Sequence, residues 1–102
     1  MTPVMVRYRV KPDRVAENER YIKKVFEQLD DERPTGLSYA SFKLDDGVSF
    51  MHIVSDVTDQ DGRLSGFPAF REFTAAIVER CDEPPVVTRL EKIGSFRAFI
   101  GD

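Results

Sequence analysis

The chain is short of the residue types on which much protein chemistry depends. Among its 102 residues there is one cysteine, Cys81, and one histidine, His52. A lone thiol excludes an intramolecular disulfide, and cytoplasmic residence is the default expectation. A lone imidazole excludes a multi-histidine metal site and leaves no Cys–His pair at a readable spacing, so no metal is expected. The acidic run Asp56, Asp59, Asp61 lacks the ligand spacing and terminal Glu of a calcium loop. The apolar runs are strand-length, so no bilayer-spanning segment is expected. The opening Met-Thr-Pro-Val-Met-Val-Arg leads directly into a strand and lacks the apolar centre of a signal peptide. Fifteen basic against 18 acidic side chains leave a net charge of −3, which gives no electrostatic reason to bind nucleic acid or an anionic membrane. No repeat, low-complexity tract or linker divides the chain, and its length suits one domain spanning residues 1–102.

What is present is patterned. Hydrophobic residues make up 41% and charged residues 32%, with eight Phe, a globular composition. At the centre, Leu37–Leu44 and Val48–Val57 are rich in strand formers. Asp45-Asp46-Gly47 joins them, and Gly supplies the positive φ of a tight hairpin turn. Before the hairpin, Val4–Val10 alternates with strand period. Lys11-Pro12-Asp13 ends that strand, with Pro suited to a first helical turn and Asp13 to cap or charge the helix start. Val15, Ile22, Val25, Phe26 and Leu29 then recur at helical spacing, up to the polar breaker 30–36. After the hairpin, Thr58–Gly66 is a polar loop. Phe67-Pro68 opens a second helix bearing Phe70, Phe73, Ile77 and Cys81 on one side. Pro84-Pro85 stops it, Val86–Ile93 is the last strand, and Gly94 permits a bend before Phe96–Ile100.

The order is β-α-β-β-α-β, which predicts an α+β, ferredoxin-like fold with a four-stranded antiparallel sheet and two helices on one face. A turn at Asp45–Val48 pairs residues whose numbers sum to 93. Ala40, Phe42, Met51 and Ile53 then share one face, the expected floor for the helices. Tyr39, Ser41, Lys43, Phe50, His52 and Val54 share the other. That second face is too aromatic to stay open, so a second copy packing sheet to sheet is expected: a homodimer.

This layout resembles the dimeric α/β-barrel superfamily, in particular the antibiotic-biosynthesis-monooxygenase-like domains. The resemblance is carried by the first strand ending in Lys11-Pro12, the helix through Leu29, the segment Pro34-Thr35-Gly36-Leu37-Ser38-Tyr39 and the Phe67-Pro68-Ala69-Phe70 helix start. It implies a barrel dimer with a ligand cavity between sheet and helices, and members that oxidise quinols or aromatic polyketides without a cofactor. The haem-degrading members rely on an Asn, a Trp and a His. Here Trp is absent and Asn18 is the sole Asn, so that pattern does not carry over. The pocket Trp of the polyketide-oxidising members is missing too.

Among residues able to carry chemistry, His52 titrates near neutrality and is the candidate base; its structural role would be an interface histidine hydrogen-bonded to Ser41 or to a group of the partner chain. Tyr8 and Tyr39 are candidate ligand donors, or strand tyrosines that pack their rings. Arg7, Arg9 and Arg89 need carboxylates or a ligand anion, with Asp56 and Glu91 as available partners, and Arg7 joins the candidate ligand-binding set. The Phe residues suit either a planar-ligand pocket or an ordinary core. Cys81, near a helix C-terminus and followed by Asp82 and Glu83, is a poor nucleophile. The functional expectation is a cofactor-independent monooxygenase-like protein acting on, or binding, a small aromatic or quinone-like molecule. The alternative is a non-catalytic dimeric module that binds a metabolite or assembles with itself.

Overall fold

A computed structural model describes residues 3–56, 58 and 63–98. Strand β1, Val4–Val10, runs into a single 3-10 turn at Pro12–Arg14 and then helix α1, Val15–Glu32. Asp13 adds charge to that turn without making a side-chain capping bond. Arg14 instead pairs with Glu17 at 2.7 Å. The exit from α1 is left-handed at a non-glycine: Arg33 has φ 47° and donates its N–H to the Leu29 carbonyl at 2.7 Å.

Strands β2, Leu37–Lys43, and β3, Ser49–Asp56, form the hairpin. Gly47 has φ 78°, and its N–H donates to the Leu44 carbonyl at 3.0 Å. The Asp46 carboxylate accepts from the Val48 and Ser49 N–H groups and the Ser49 hydroxyl, which holds its pKa down at about 2. The register is the expected one: Tyr39 faces Val54, Ser41 faces His52 and Lys43 faces Phe50. Beyond it, Arg63 of the 3-10 turn Arg63–Gly66 pairs with Asp56 at 3.2 Å. Asp59 and Asp61 lie outside the described residues.

The second helix departs from its expected course. It is two pieces, α2 at Pro68–Ala75 and α3 at Ile77–Arg80, broken where Ala76 leaves helical geometry at φ −129° and ψ 28°. Strand β4 begins at once and spans Cys81–Arg89, five residues ahead of the expected start and short of the expected end. Pro84 and Pro85 therefore lie inside a strand. The sheet order β2-β3-β1-β4 puts β4 at an edge, where a residue without an N–H need not break a ladder bond, and the pairing with β1 shifts register around Arg9. Among residues 90–98 there is no further strand. Phe99 and Ile100 lie outside the described residues.

All pairings are antiparallel, and β1 and β3 are the central strands. The expected hairpin faces are inverted. The helices cover the face carrying Tyr8, Tyr39, Ser41, Phe50 and His52, and the core comprises Tyr8, Val10, Val25, Phe50 and Phe73. The outer face, by cross-strand register, carries Met5, Arg7, Ala40, Phe42, Met51, Ile53 and Val86, with Phe42 37% and Val86 62% exposed. Polarity misleads here because the helices bring polar partners of their own. With those in place, a histidine and a serine are satisfied inside and the apolar set is left outside.

Candidate functional site

His52 stands at the middle of the covered face. On the neighbouring strands its direct partners are Ser41 of β2 and Val6 of β1. Tyr39 and Tyr8 each lie two residues along from those partners, the diagonal reach of a long side chain on one sheet face. Alternation along three strands thus gathers both tyrosines and the serine around one imidazole.

The contacts are short. The Tyr8 hydroxyl is 2.7 Å from His52 Nε2, while the Tyr39 hydroxyl and Ser41 Oγ are 2.8 and 2.7 Å from Nδ1. The rings pack together as well: His52 stacks on Tyr8 at 5.3 Å and lies tilted against Phe73 at 5.4 Å, centroid to centroid. With 3% of its surface exposed, the imidazole is costly to charge, and burial pulls its pKa down to about 4. The expectation of a group titrating near neutrality is corrected: His52 is neutral across the physiological range. Burial pushes both phenols up from their ordinary value, a Ser41 hydrogen bond partly opposing it at Tyr39 and an Asn18 hydrogen bond at Tyr8.

Two members of the cluster escaped sequence reasoning. Asn18 of α1 is fully buried and donates from Nδ2 to the Tyr8 hydroxyl at 3.0 Å. Arg80, at the end of α3, is 0% exposed. Its Nε donates to Asn18 Oδ1 at 3.2 Å and its Nη2 to the Phe73 carbonyl at 2.6 Å, while Nη1 has no hydrogen-bond partner among the described residues. The guanidinium lies 4.6 Å from the Tyr21 ring centroid and 5.5 Å from that of Phe73. A signal for both was present. Asn18 interrupts the apolar stripe Val15, Ile22, Val25, Leu29, and Arg80 falls seven residues after Phe73, two turns along the same side. A polar residue at a core position needs a partner inside.

Arg7 is not part of this cluster. It is exposed on the outer face, lining a second groove of about 350 Å³ with Met5, Glu83, Pro84 and Val86, which Tyr8 also borders. Nor do the expected ion pairs form as drawn: Arg9 approaches Glu83 at 3.7 Å, and Asp56 takes Arg63. Burial raises the pKa of the Cys81 thiol, with Asp82 adding to the rise and Arg80 opposing it.

Beside the cluster, between the C-terminal half of α1 and the start of β2, opens a cavity of about 330 Å³. It is lined by Phe26, Leu29, Leu37 and Tyr39, with Asp30 and Arg33. Tyr39 belongs to both cavity and cluster. Its ring packs 5.2 Å from Phe26 and edge-on at 6.3 Å from Phe70. An aromatic wall that includes Tyr39, whose hydroxyl is backed by a neutral imidazole, can orient a flat, oxygenated molecule. Among the described residues no group of three or more His, Cys, Asp or Glu is placed to hold a metal ion, and no helix is long and apolar enough to cross a membrane.

No protein-family model matches the chain, and no curated protein matches it in sequence. Solved structures do match in fold. A candidate antibiotic biosynthesis monooxygenase from Nitrosomonas europaea superposes with a TM-score of 0.76 at 16% identity, covering 92% of this chain and 100% of its own. A structure described as an antibiotic biosynthesis monooxygenase gives 0.70 at 17% identity, over 92% and 100%. A second Nitrosomonas europaea protein, of unknown function, gives 0.69 at 16% identity, over 92% and 90%. The chain therefore has the ferredoxin-like fold of these proteins.

Proposed function

We propose that this chain is a homodimeric, cofactor-independent monooxygenase-like protein that binds a small aromatic or quinone-like molecule in the cavity beside Tyr39 and oxidises it with O₂. The observation carrying this reading is the junction of that aromatic cavity, through Tyr39, with the buried His52 and its part-buried hydroxyl partners Tyr39 and Ser41. An electron-rich phenol binds there as its phenolate, its proton released to solvent and the Tyr39 hydroxyl donating to the oxyanion, and the carbanion form of its ring reduces O₂. In net terms a ring CH₂ becomes C=O and the second oxygen atom leaves as water, so substrate and O₂ balance without added reductant. Tyr39 touches the ligand, and His52 acts through it. Tyr8 holds the far side of the imidazole and is not itself a ligand contact.

The sheet face turned away from the helices supports the dimer. Met5, Met51, Ile53 and Val86 form an apolar surface there that a second copy would bury, closing the Arg7 groove in the process. The test is protein-dependent O₂ uptake with a panel of quinols and anthrone-type phenols. His52→Gln and Tyr39→Phe should each lower the rate roughly tenfold to a hundredfold. Ligand binding by the wild type with no O₂ uptake across the panel would refute oxidation and leave a metabolite-binding module.

A further inference from the structure

The hydrogen bonds around His52 have a direction that follows atom by atom. Arg80 offers only donors, so the Asn18 atom 3.2 Å from its Nε is the amide oxygen. The amide nitrogen of Asn18 then faces the Tyr8 hydroxyl at 3.0 Å and donates to it. The Tyr8 oxygen has one proton of its own to place, and the acceptor in reach is His52 Nε2 at 2.7 Å. Were Nε2 protonated, Tyr8 would face two donors, and its own proton would have no acceptor among the described residues. His52 therefore carries its proton on Nδ1 and donates toward Ser41 and Tyr39. Two hydroxyl protons remain at that end, and each hydroxyl can absorb only the other's. One is surplus, and Tyr39 is the member that lines the 330 Å³ cavity.

We infer that Arg80, Asn18, Tyr8 and His52 are positioning residues of a one-way donor chain ending at Tyr39, so that the cavity takes its ligand through a phenolate, enolate or quinone oxygen. This rests on the site proposed above and narrows what it accepts. The chain starts from a buried cation with no carboxylate at ion-pair distance among the described residues. Each donor polarises the next, so negative charge at the far end is favoured. A ligand that presents only donors, such as an ammonium group, finds no acceptor there. At the rim, Arg33 and Asp30 carry opposite charges, so the preference arises at the Tyr39 end.

Two measurements test this. In the ¹⁵N spectrum of wild-type protein, His52 should show the Nδ1–H tautomer. By calorimetry at about pH 8, 4-nitrophenolate should bind roughly tenfold or more tighter than 4-nitroanisole, which keeps the ring and lacks the oxyanion. Tyr39→Phe, which removes only the terminal hydroxyl, should bring that ratio toward one, as should Asn18→Leu. Arg80→Lys keeps the charge and should retain part of the preference. If the buried variants do not fold, the wild-type tautomer and Tyr39→Phe decide. An Nε2–H tautomer overturns the inference, and so do equal affinities or the binding of neither probe. Loss of the preference in folded Arg80→Lys overturns the role of Arg80. Neither measurement reads turnover. A wild type that prefers the phenolate yet consumes no O₂ fails the oxidation reading and keeps this one. O₂ uptake with an Nε2–H tautomer does the reverse.

Discussion

Acid should destabilise this protein through His52 well before its carboxylates titrate. In the folded chain the imidazole takes up a proton only near pH 4, because burial among Tyr8, Tyr39 and Phe73 penalises the charged ring. In the unfolded chain it protonates near 6.5. Between those values the unfolded state binds the extra proton, so stability is complete above about pH 6.5 and falls as pH drops toward 4. At about 1.4 kcal/mol per pH unit, the loss is about 2 kcal/mol at pH 5 and about 3 kcal/mol at pH 4. For a domain this size that is a large share of the whole stability. The assay is urea unfolding of wild type and His52→Gln across pH 7 to 4. Asp46 and Asp56, both held below the usual carboxylate range by hydrogen bonds, also lose stability in acid. They are common to both proteins and cancel in the difference. The variant is the less stable at neutral pH, and its deficit should shrink by about 3 kcal/mol across the titration. Parallel stability curves for the two proteins would refute the buried, neutral imidazole.

Three further outcomes are expected. Gly47→Val should cost about 1–3 kcal/mol in a denaturation midpoint, from backbone strain at φ 78° alone, because a side chain there meets open space. Ile53→Asp on the outer face should shift a sedimentation profile from dimer to monomer while Lys24→Asp on α1 leaves it unchanged; Phe50→Asp should unfold the chain, since Phe50 is core and stacks on Tyr8 at 5.6 Å. Incubation with haem and a reductant should release neither iron nor a bilin, because Trp is absent and Asn18 has both ends of its amide engaged by Arg80 and Tyr8.

About half of the candidate site is legible in the sequence. His52, Tyr8 and Tyr39 stand out as rare or amphipathic residues on strands, and the hairpin register alone puts His52 opposite Ser41. Arg7 enters the expected set as a strand arginine in need of an anion, but it is the neighbour of Tyr8 in the chain, and adjacent strand residues point to opposite faces. Asn18 and Arg80 are hidden for a different reason. Each looks like one polar residue at the margin of an apolar stripe, and its value comes from partners 10 and 62 residues away.

What the sequence determined by itself is therefore local and periodic: three strand patterns, the first helix and the start of the second, a Gly-dependent turn, and the hairpin register that follows from that turn. These depend on φ preferences and on periods of 2 and 3.6, which neighbours in the chain enforce. Three things waited on the tertiary structure. One was which sheet face the helices cover, because burying His52 is tolerable when Tyr8, Tyr39 and Ser41 satisfy its ring nitrogens and Asn18, held by Arg80, in turn satisfies Tyr8. Another was the start of β4 at Cys81, where pairing along β1 and an edge position override two prolines. The last was the histidine's charge state, since an imidazole that titrates near 6.5 in water is held neutral to about pH 4 only by the aromatic rings packed around it.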